Sequence, residues 1–159
     1  MKDQTHLMLK QKQAVSLIVE KEFNLALETI NQCIFINRGN ADNYFIKGRI
    51  YDELLDYESS ISAYEKCINR NKKHKVAKFY LGLSYLALQN FAKGCHFYSF
   101  RHSETTLKKF RSAKSWTPNQ KPGRVLIWAE QGIGDELIFF LVLKIISQAN
   151  LTCSIACET

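Results

Sequence analysis

Apolar and polar residues alternate along most of this chain with the spacing of amphipathic helices, and short polar breaks interrupt the apolar stripes. Leu7, Ala14, Leu17 and Ile18 fall on one stripe of a helix predicted over residues 4–19. Its partner is predicted from Phe23 to just before Arg38, Gly39 and Asn40, where glycine and asparagine suit a left-handed helix end. The same alternation predicts helices over 42–54 and 57–69, with Asp42 as N-cap or first-turn acid. A third pair is predicted over 75–88 and 91–103, with Asn90 at the turn between them. After 103 the pattern stops. Leu107, Phe110 and Trp116 predict a last helical turn and a connection that covers the open apolar end of the helix stack. Two prolines and a glycine within 117–123 then mark a boundary. Residues 124–129 form an apolar run that predicts a buried parallel strand. A turn at 130–134, an apolar-faced helix over 135–148 and a second strand over 152–157 follow, with Cys153, Ile155 and Cys157 on one strand face. Strand, glycine turn, helix and strand make one right-handed crossover unit, the opening of a doubly wound sheet.

The helical part has a longer period as well. In the 34-residue unit Ala41 to His74, Tyr44, Gly48, Tyr51, Tyr57, Tyr64 and Cys67 occupy positions 4, 8, 11, 17, 24 and 27. One period upstream, Ala14, Leu17, Phe23, Ala26, Ile30 and Cys33 stand at positions 8, 11, 17, 20, 24 and 27. One period downstream, Leu81 and Gly82, Tyr85, Phe91, Gly94 and Tyr98 keep the same register. Bulky residues at these places interlock a helix pair, and small ones allow two backbones to approach. On these residues the chain resembles the tetratricopeptide repeat family over roughly Leu7 to His102. Lys10 and Lys78 depart from it, standing where position 4 usually carries an aromatic, and no proline closes any unit.

The resemblance implies a mostly α solenoid of three helix pairs plus a capping helix, spanning 1–116 with units near 7–40, 41–74 and 75–108. It also implies a groove lined by positions 2, 5, 9, 12 and 13 of each unit. Those positions fall on Met8, Gln11, Val15, Ile18 and Val19, on Asp42, Phe45, Arg49, Asp52 and Glu53, and on Val76, Phe79, Leu83, Leu86 and Ala87. The groove is largely apolar. A protein or peptide is the expected occupant, with Phe45, Arg49, Phe79 and Leu83 as its contacts. Family members that clamp a peptide's terminal carboxylate use Lys and Asn at fixed groove positions, and this chain has Gln11, Val15, Ile46, Val76 and Tyr80 there. A chaperone-tail clamp is therefore not expected. The bland alternative is a narrow groove filled by its own side chains.

Charge changes the picture only when it is divided along the chain. Residues 1–74 carry 11 basic and 10 acidic side chains, residues 75–123 carry 9 and 1, and residues 124–159 carry 2 and 4. Within the middle third, Lys108, Lys109, Arg111 and Lys114 form a run able to meet phosphate, nucleic acid or an acidic membrane surface. A solvated helix face is the simpler account, and the absence of interleaved aromatics disfavours nucleic acid. No apolar run reaches the roughly 18 residues a membrane span needs. No signal-like segment opens the chain, so a cytoplasmic protein is expected. Of the five cysteines, Cys33 and Cys67 sit at the small-residue packing position, and no CxxC or metal spacing occurs. His96 and His102 lie six apart, the wrong spacing to share a metal. No metal or cofactor is expected.

The glycine turn of the C-terminal unit has two readings. As a dinucleotide fingerprint it offers Gly132 and Gly134, but Leu137 stands at the third glycine and Glu158 at the place of a ribose-binding acid. The wider run from Val125 to Phe139, placed after the repeats and a Trp-Pro linker, is similar to the heptosyltransferase group of GT-B glycosyltransferases. That similarity implies that residues 124–159 hold the first βαβ portion of a Rossmann-like domain in a longer transferase. It also implies a nucleotide-sugar donor, with Asp135 as base and with Gln131, Gly132 and Gly134 near the substrate. Backbone amides of the turn at a helix N-terminus suit an anionic group. An Asp in that place also simply caps free amides, and Glu130 and Gln131 are then loop polar groups. The chain alone is expected to be inactive. The competing expectation is a non-enzymatic interaction module.

Overall fold

A computed structural model describes residues 2–101, 124–128 and 152–156, with side-chain surroundings from residue 5 to 101. The chain divides into two compact units, 1–109 and 110–159. The first holds six α-helices: α1 (Lys2–Val19), α2 (Phe23–Ile36), α3 (Ala41–Glu53), α4 (Tyr57–Arg70), α5 (Lys75–Ala87) and α6 (Phe91–Tyr98). The boundaries expected from the apolar stripes hold to within two residues for the first five helices. The sixth is shorter than expected, because the backbone tightens into a 3-10 turn at Ser99–Arg101. Each helix packs on the next in order, and α1 also touches α3.

Two apolar clusters hold the stack together. Leu7, Ala14, Leu17, Ala26, Ile30, Cys33 and Ile50 form the first, between α1, α2 and α3. Tyr44, Tyr64, Cys67, Ala77, Leu81 and Tyr85 form the second, between α3, α4 and α5. Most of the periodic positions are buried, as expected, whereas Phe91 is 63% exposed and Phe97 packs against the second cluster instead. Cys33 and Cys67 are buried free thiols, and burial pushes the Cys67 thiol up to about 11, with Asp42 adding to the effect. The position-4 departures are accommodated at the surface. Lys10 donates to Gln32 (2.6 Å), and the Lys78 ammonium lies 4.5 Å from the Phe100 ring centroid.

The turns within each pair repeat with the 34-residue period. Lys21, Leu55 and Gln89 all take the left-handed conformation, with φ of 63°, 59° and 58°. After each of them the next amide reaches back to a carbonyl five residues earlier: Glu22 to Leu17, Asp56 to Tyr51 and Asn90 to Tyr85 (2.8 to 3.0 Å). The left-handed residue itself donates to the carbonyl three residues back, so each turn is a Schellman motif built without glycine. The left-handed end expected near Gly39 is not there. Asn37 ends α2 in extended backbone and its side chain accepts the Gly39 amide (3.0 Å); Asn71 does the same for Lys73 after α4. An Asx turn replaces the glycine cap at both junctions between units. The following helices start on side-chain caps, Asn40 accepting from Asp42, Asp56 from Ser59, His74 Nδ1 from Ala77 and Asn90 from Lys93. Asp42 is thus the first-turn acid of α3.

Polar groups stitch the units. Asn43, wholly buried, donates to the Cys33 and Asn37 carbonyls and accepts from Gln11 (2.6 Å), so one side chain ties α1, α2 and α3. Asp52 accepts from the Tyr64 hydroxyl and from Ser84 (3.0 Å), and Ser84 accepts from buried Ser60 (2.9 Å). In the second unit, β1 (Arg124–Trp128) and β2 (Thr152–Ala156) pair in parallel, Arg124 opposite Thr152 and Trp128 opposite Ala156. Both strands fall where the apolar runs predicted them. The linker, the basic run, the glycine turn with Gln131, Gly132, Gly134 and Asp135, and the expected helix over 135–148 lie outside the described residues. Among the described residues no helix is long and apolar enough to cross a membrane.

Candidate functional site

The face carried by α1, α3 and α5 is where the expected contacts lie. Helical spacing puts Phe45, Arg49 and Asp52 on one side of α3, and Val76, Phe79 and Leu83 on one side of α5. The structure gathers three of the four expected contacts around Tyr80. Phe45 meets Tyr80 edge-on at 5.6 Å, Phe79 meets it at 5.5 Å, and the Arg49 guanidinium lies 4.6 Å from its centroid. Phe79 continues to Tyr98 at 5.6 Å, so Phe45, Tyr80, Phe79 and Tyr98 form a continuous aromatic row from α3 through α5 to α6. Leu83 stands apart from this row on α5, 37% exposed.

Tyr80 and His74 are the members that periodicity did not single out as contacts. The His74 ring lies 5.1 Å from that of Phe45, tilted by 37°, and its Nε2 lies 3.4 Å from Asp42. Because Nδ1 accepts the Ala77 amide, neutral His74 carries its proton on Nε2, facing Asp42. The available sequence signal was the aromatic pair Phe79 and Tyr80, in which one ring serves the core while its neighbour faces outward.

Apolar groups remain open on the two flanking helices. Met8, Val15 and Val19 of α1 are exposed by 58, 46 and 79%, and Val76 of α5 by 52%. The central helix is polar there. Arg49 approaches Glu53 at 3.9 Å, and Asp52, expected to face a ligand, spends its carboxylate on Tyr64 and Ser84. Burial, with Asp52 beside it, drives the Tyr64 hydroxyl far above its ordinary pKa, so it stays a donor to that carboxylate. Gln11 is likewise committed, to Asn43. The face thus offers an aromatic floor with one stacked cation, flanked by aliphatic side chains.

Residues 41–74 match the tetratricopeptide repeat family model, the same span as the central 34-residue unit. No curated protein sequence matches the chain. Solved structures share the fold. The second TPR of Spaghetti (RPAP3), bound to the HSP90 peptide SRMEEVD, superposes with a TM-score of 0.57 at 14% identity, over 63% of this chain and 95% of that one. The Arabidopsis OM64 TPR domain gives 0.57 at 17% identity, over 68% and 85%. MamA residues 41 to the end, from Desulfovibrio magneticus RS-1, gives 0.56 at 19% identity, over 69% of this chain and 59% of that one. The six-helix unit is a tetratricopeptide-like solenoid.

Proposed function

We propose that the six-helix unit is a binding module that seats an apolar segment of a protein or peptide along the face of α1, α3 and α5. The observation that carries this is the aromatic row through Tyr80, open to flanking Met8, Val15, Val76 and Leu83. Burial of such a face yields roughly 25 cal/mol per Å² of apolar surface removed from water, and aromatic anchors concentrate that gain. Arg49 adds a single cation, held over Tyr80 at the centre of the face, that orients an acidic group of the partner.

The peptide in the Spaghetti structure is acidic at its C-terminal end, and the places that would clamp a terminal carboxylate are here Gln11, Val15, Ile46, Val76 and Tyr80. The SRMEEVD peptide therefore binds this chain at least about tenfold more weakly than apolar heptapeptides selected from a displayed library. Leu83→Glu, an exposed change on the face, abolishes binding of the selected peptides without lowering the unfolding midpoint. Tight binding of SRMEEVD, or selected peptides indifferent to Leu83→Glu, would place recognition elsewhere.

A second reading concerns residues 124–159. Parallel pairing of β1 with β2 requires a crossover between them, which supports a Rossmann-like opening. By its resemblance to heptosyltransferase-like GT-B enzymes, that opening belongs to a sugar transferase, with the repeats presenting the acceptor. Asp135 then acts as base, and Gln131, Gly132 and Gly134 approach the nucleotide-sugar. Nucleotide-sugar turnover by the product of the longest reading frame, lost in Asp135→Asn, tests it.

A further inference from the structure

On α3, the side away from Phe45 and Arg49 carries Tyr44, Lys47 and Tyr51. Together with Ser59, Ser62 and Lys66 of α4 these line a pocket of about 230 Å³. Lys47 is half-buried, and it uses one of its three ammonium protons on Asn31 of α2 (2.8 Å) while lying 5.7 Å from the Tyr51 ring centroid. Lys66 reaches the same pocket from α4 and is exposed. Neither ammonium has a carboxylate within ion-pair distance among the described residues. Of the acids on α3 and α4, Asp56 caps Ser59, Asp52 serves Tyr64 and Ser84, Glu53 faces Arg49 and Glu65 accepts the Tyr85 hydroxyl, while Glu58, next to Ser59 in the first turn of α4, is exposed. The Tyr51 and Ser62 hydroxyls make no hydrogen bond within the described residues and are free to donate.

Two like charges facing one small cavity oppose each other, and the burial of Lys47 sharpens the conflict. Its ammonium is held below the ordinary lysine range first by burial and then by the charge of Lys66. A bound anion removes both costs. A carboxylate carries one charge, whereas a phosphate-class oxyanion at neutral pH carries nearly two and accepts from several donors at once. The cavity is smaller than the roughly 300 Å³ at which pockets begin to hold drug-sized ligands, so it suits a single small group.

We propose that this pocket binds one phosphate-class oxyanion, inorganic phosphate or a phosphomonoester, held by Lys47 and Lys66 with Tyr51 and Ser62 as neutral donors. The site is independent of the aromatic face on the other side of α3. The anion arrives either on a free small molecule or on a phosphorylated side chain of a partner.

The test is a titration of the 15N-labelled full chain with inorganic phosphate, with sodium chloride matching ionic strength throughout. Saturable shifts of the Ser59, Ser62 and Lys66 amides are expected, absent with chloride alone. Lys47→Gln and Lys66→Gln should each weaken phosphate at least about tenfold; Lys66 is exposed, so its replacement leaves the fold intact. A parallel arm uses a blocked tripeptide with central phosphoserine: tighter binding than phosphate assigns the anion to a partner chain, and equal binding assigns it to a free ligand. Shifts that track ionic strength alone, or affinity unchanged in Lys66→Gln, overturn the proposal.

Discussion

Gly48, Gly82 and Gly94 show how a single missing methyl sets the spacing of helices. A Cβ on Gly82 would stand 2.5 Å from the Tyr98 backbone nitrogen and 2.8 Å from the Phe97 carbonyl carbon, atoms that move only if α6 moves. On Gly48 it would enter the Tyr64 ring, which is fully buried and tethered to Asp52; on Gly94 it would meet Cδ2 and Cγ of Leu86 at 2.6 and 2.7 Å, atoms of a flexible side chain on the partner helix. The expected order of destabilisation is Gly82→Ala, then Gly48→Ala, then Gly94→Ala, the first two costing about 1–3 kcal/mol by urea unfolding. Small residues at these places were legible in the sequence because the period demanded them. Asn43 was not, because nothing in an isolated asparagine tells a buried clamp from a surface amide. The two buried thiols give a pH dependence of definite sign. Their folded pKa values lie above the ordinary 9.0, so the stability they add is complete below pH 9 and is lost as pH rises through the folded values, about 11 for Cys67. Lys47, with its folded pKa lowered, works in the opposite sense as pH approaches 10.5. Cys67→Ala should flatten the fall of the urea midpoint between pH 9 and 11.

The pair turns are the elements that sequence reasoning placed without describing. Their positions followed from the apolar stripes, yet their left-handed residues are Lys21, Leu55 and Gln89, none of which signals that conformation. The Schellman bonds and the packing of the two flanking helices impose it against a local cost of about 1–2 kcal/mol for a residue with a Cβ. Leu55 is 70% exposed and gives little back by burial. Leu55→Gly is therefore expected to raise stability by roughly 0.5–1 kcal/mol after the greater flexibility of the unfolded chain is counted. The opposite sign is expected at the clamp between α1, α2 and α3. Asn43→Ala leaves the buried Cys33 carbonyl without its side-chain donor and should cost about 1–3 kcal/mol, measured by the same unfolding curves. The helices start on ordinary capping residues, Asn40, Asp56 and Asn90, although the sequence pointed to Asp42 as a cap and to Asn40 as part of a left-handed end.

At the scale of the molecule, the three-unit register could be read because periodic burial constrains many residues at once. What each groove residue does could not, since Asp52 and Gln11 turn inward to partners on neighbouring helices and Tyr80 emerges as the hub. The pocket at Lys47 was equally hidden: its residues come from two helices whose relative rotation no stripe specifies. The division of the apolar interior into two clusters, one below α1 to α3 and one below α3 to α5, means that the six helices need not open together. The second cluster is richer in aromatic contacts and contains the Asp52, Tyr64 and Ser84 network, so amide hydrogen exchange should be faster in α1 and α2 than in α4 and α5. A segment lying across α1, α3 and α5 touches both clusters and acts as a splint. Its affinity then includes the work of holding α1 and α2 closed, and a bound partner would register as slowed exchange at residues it never contacts.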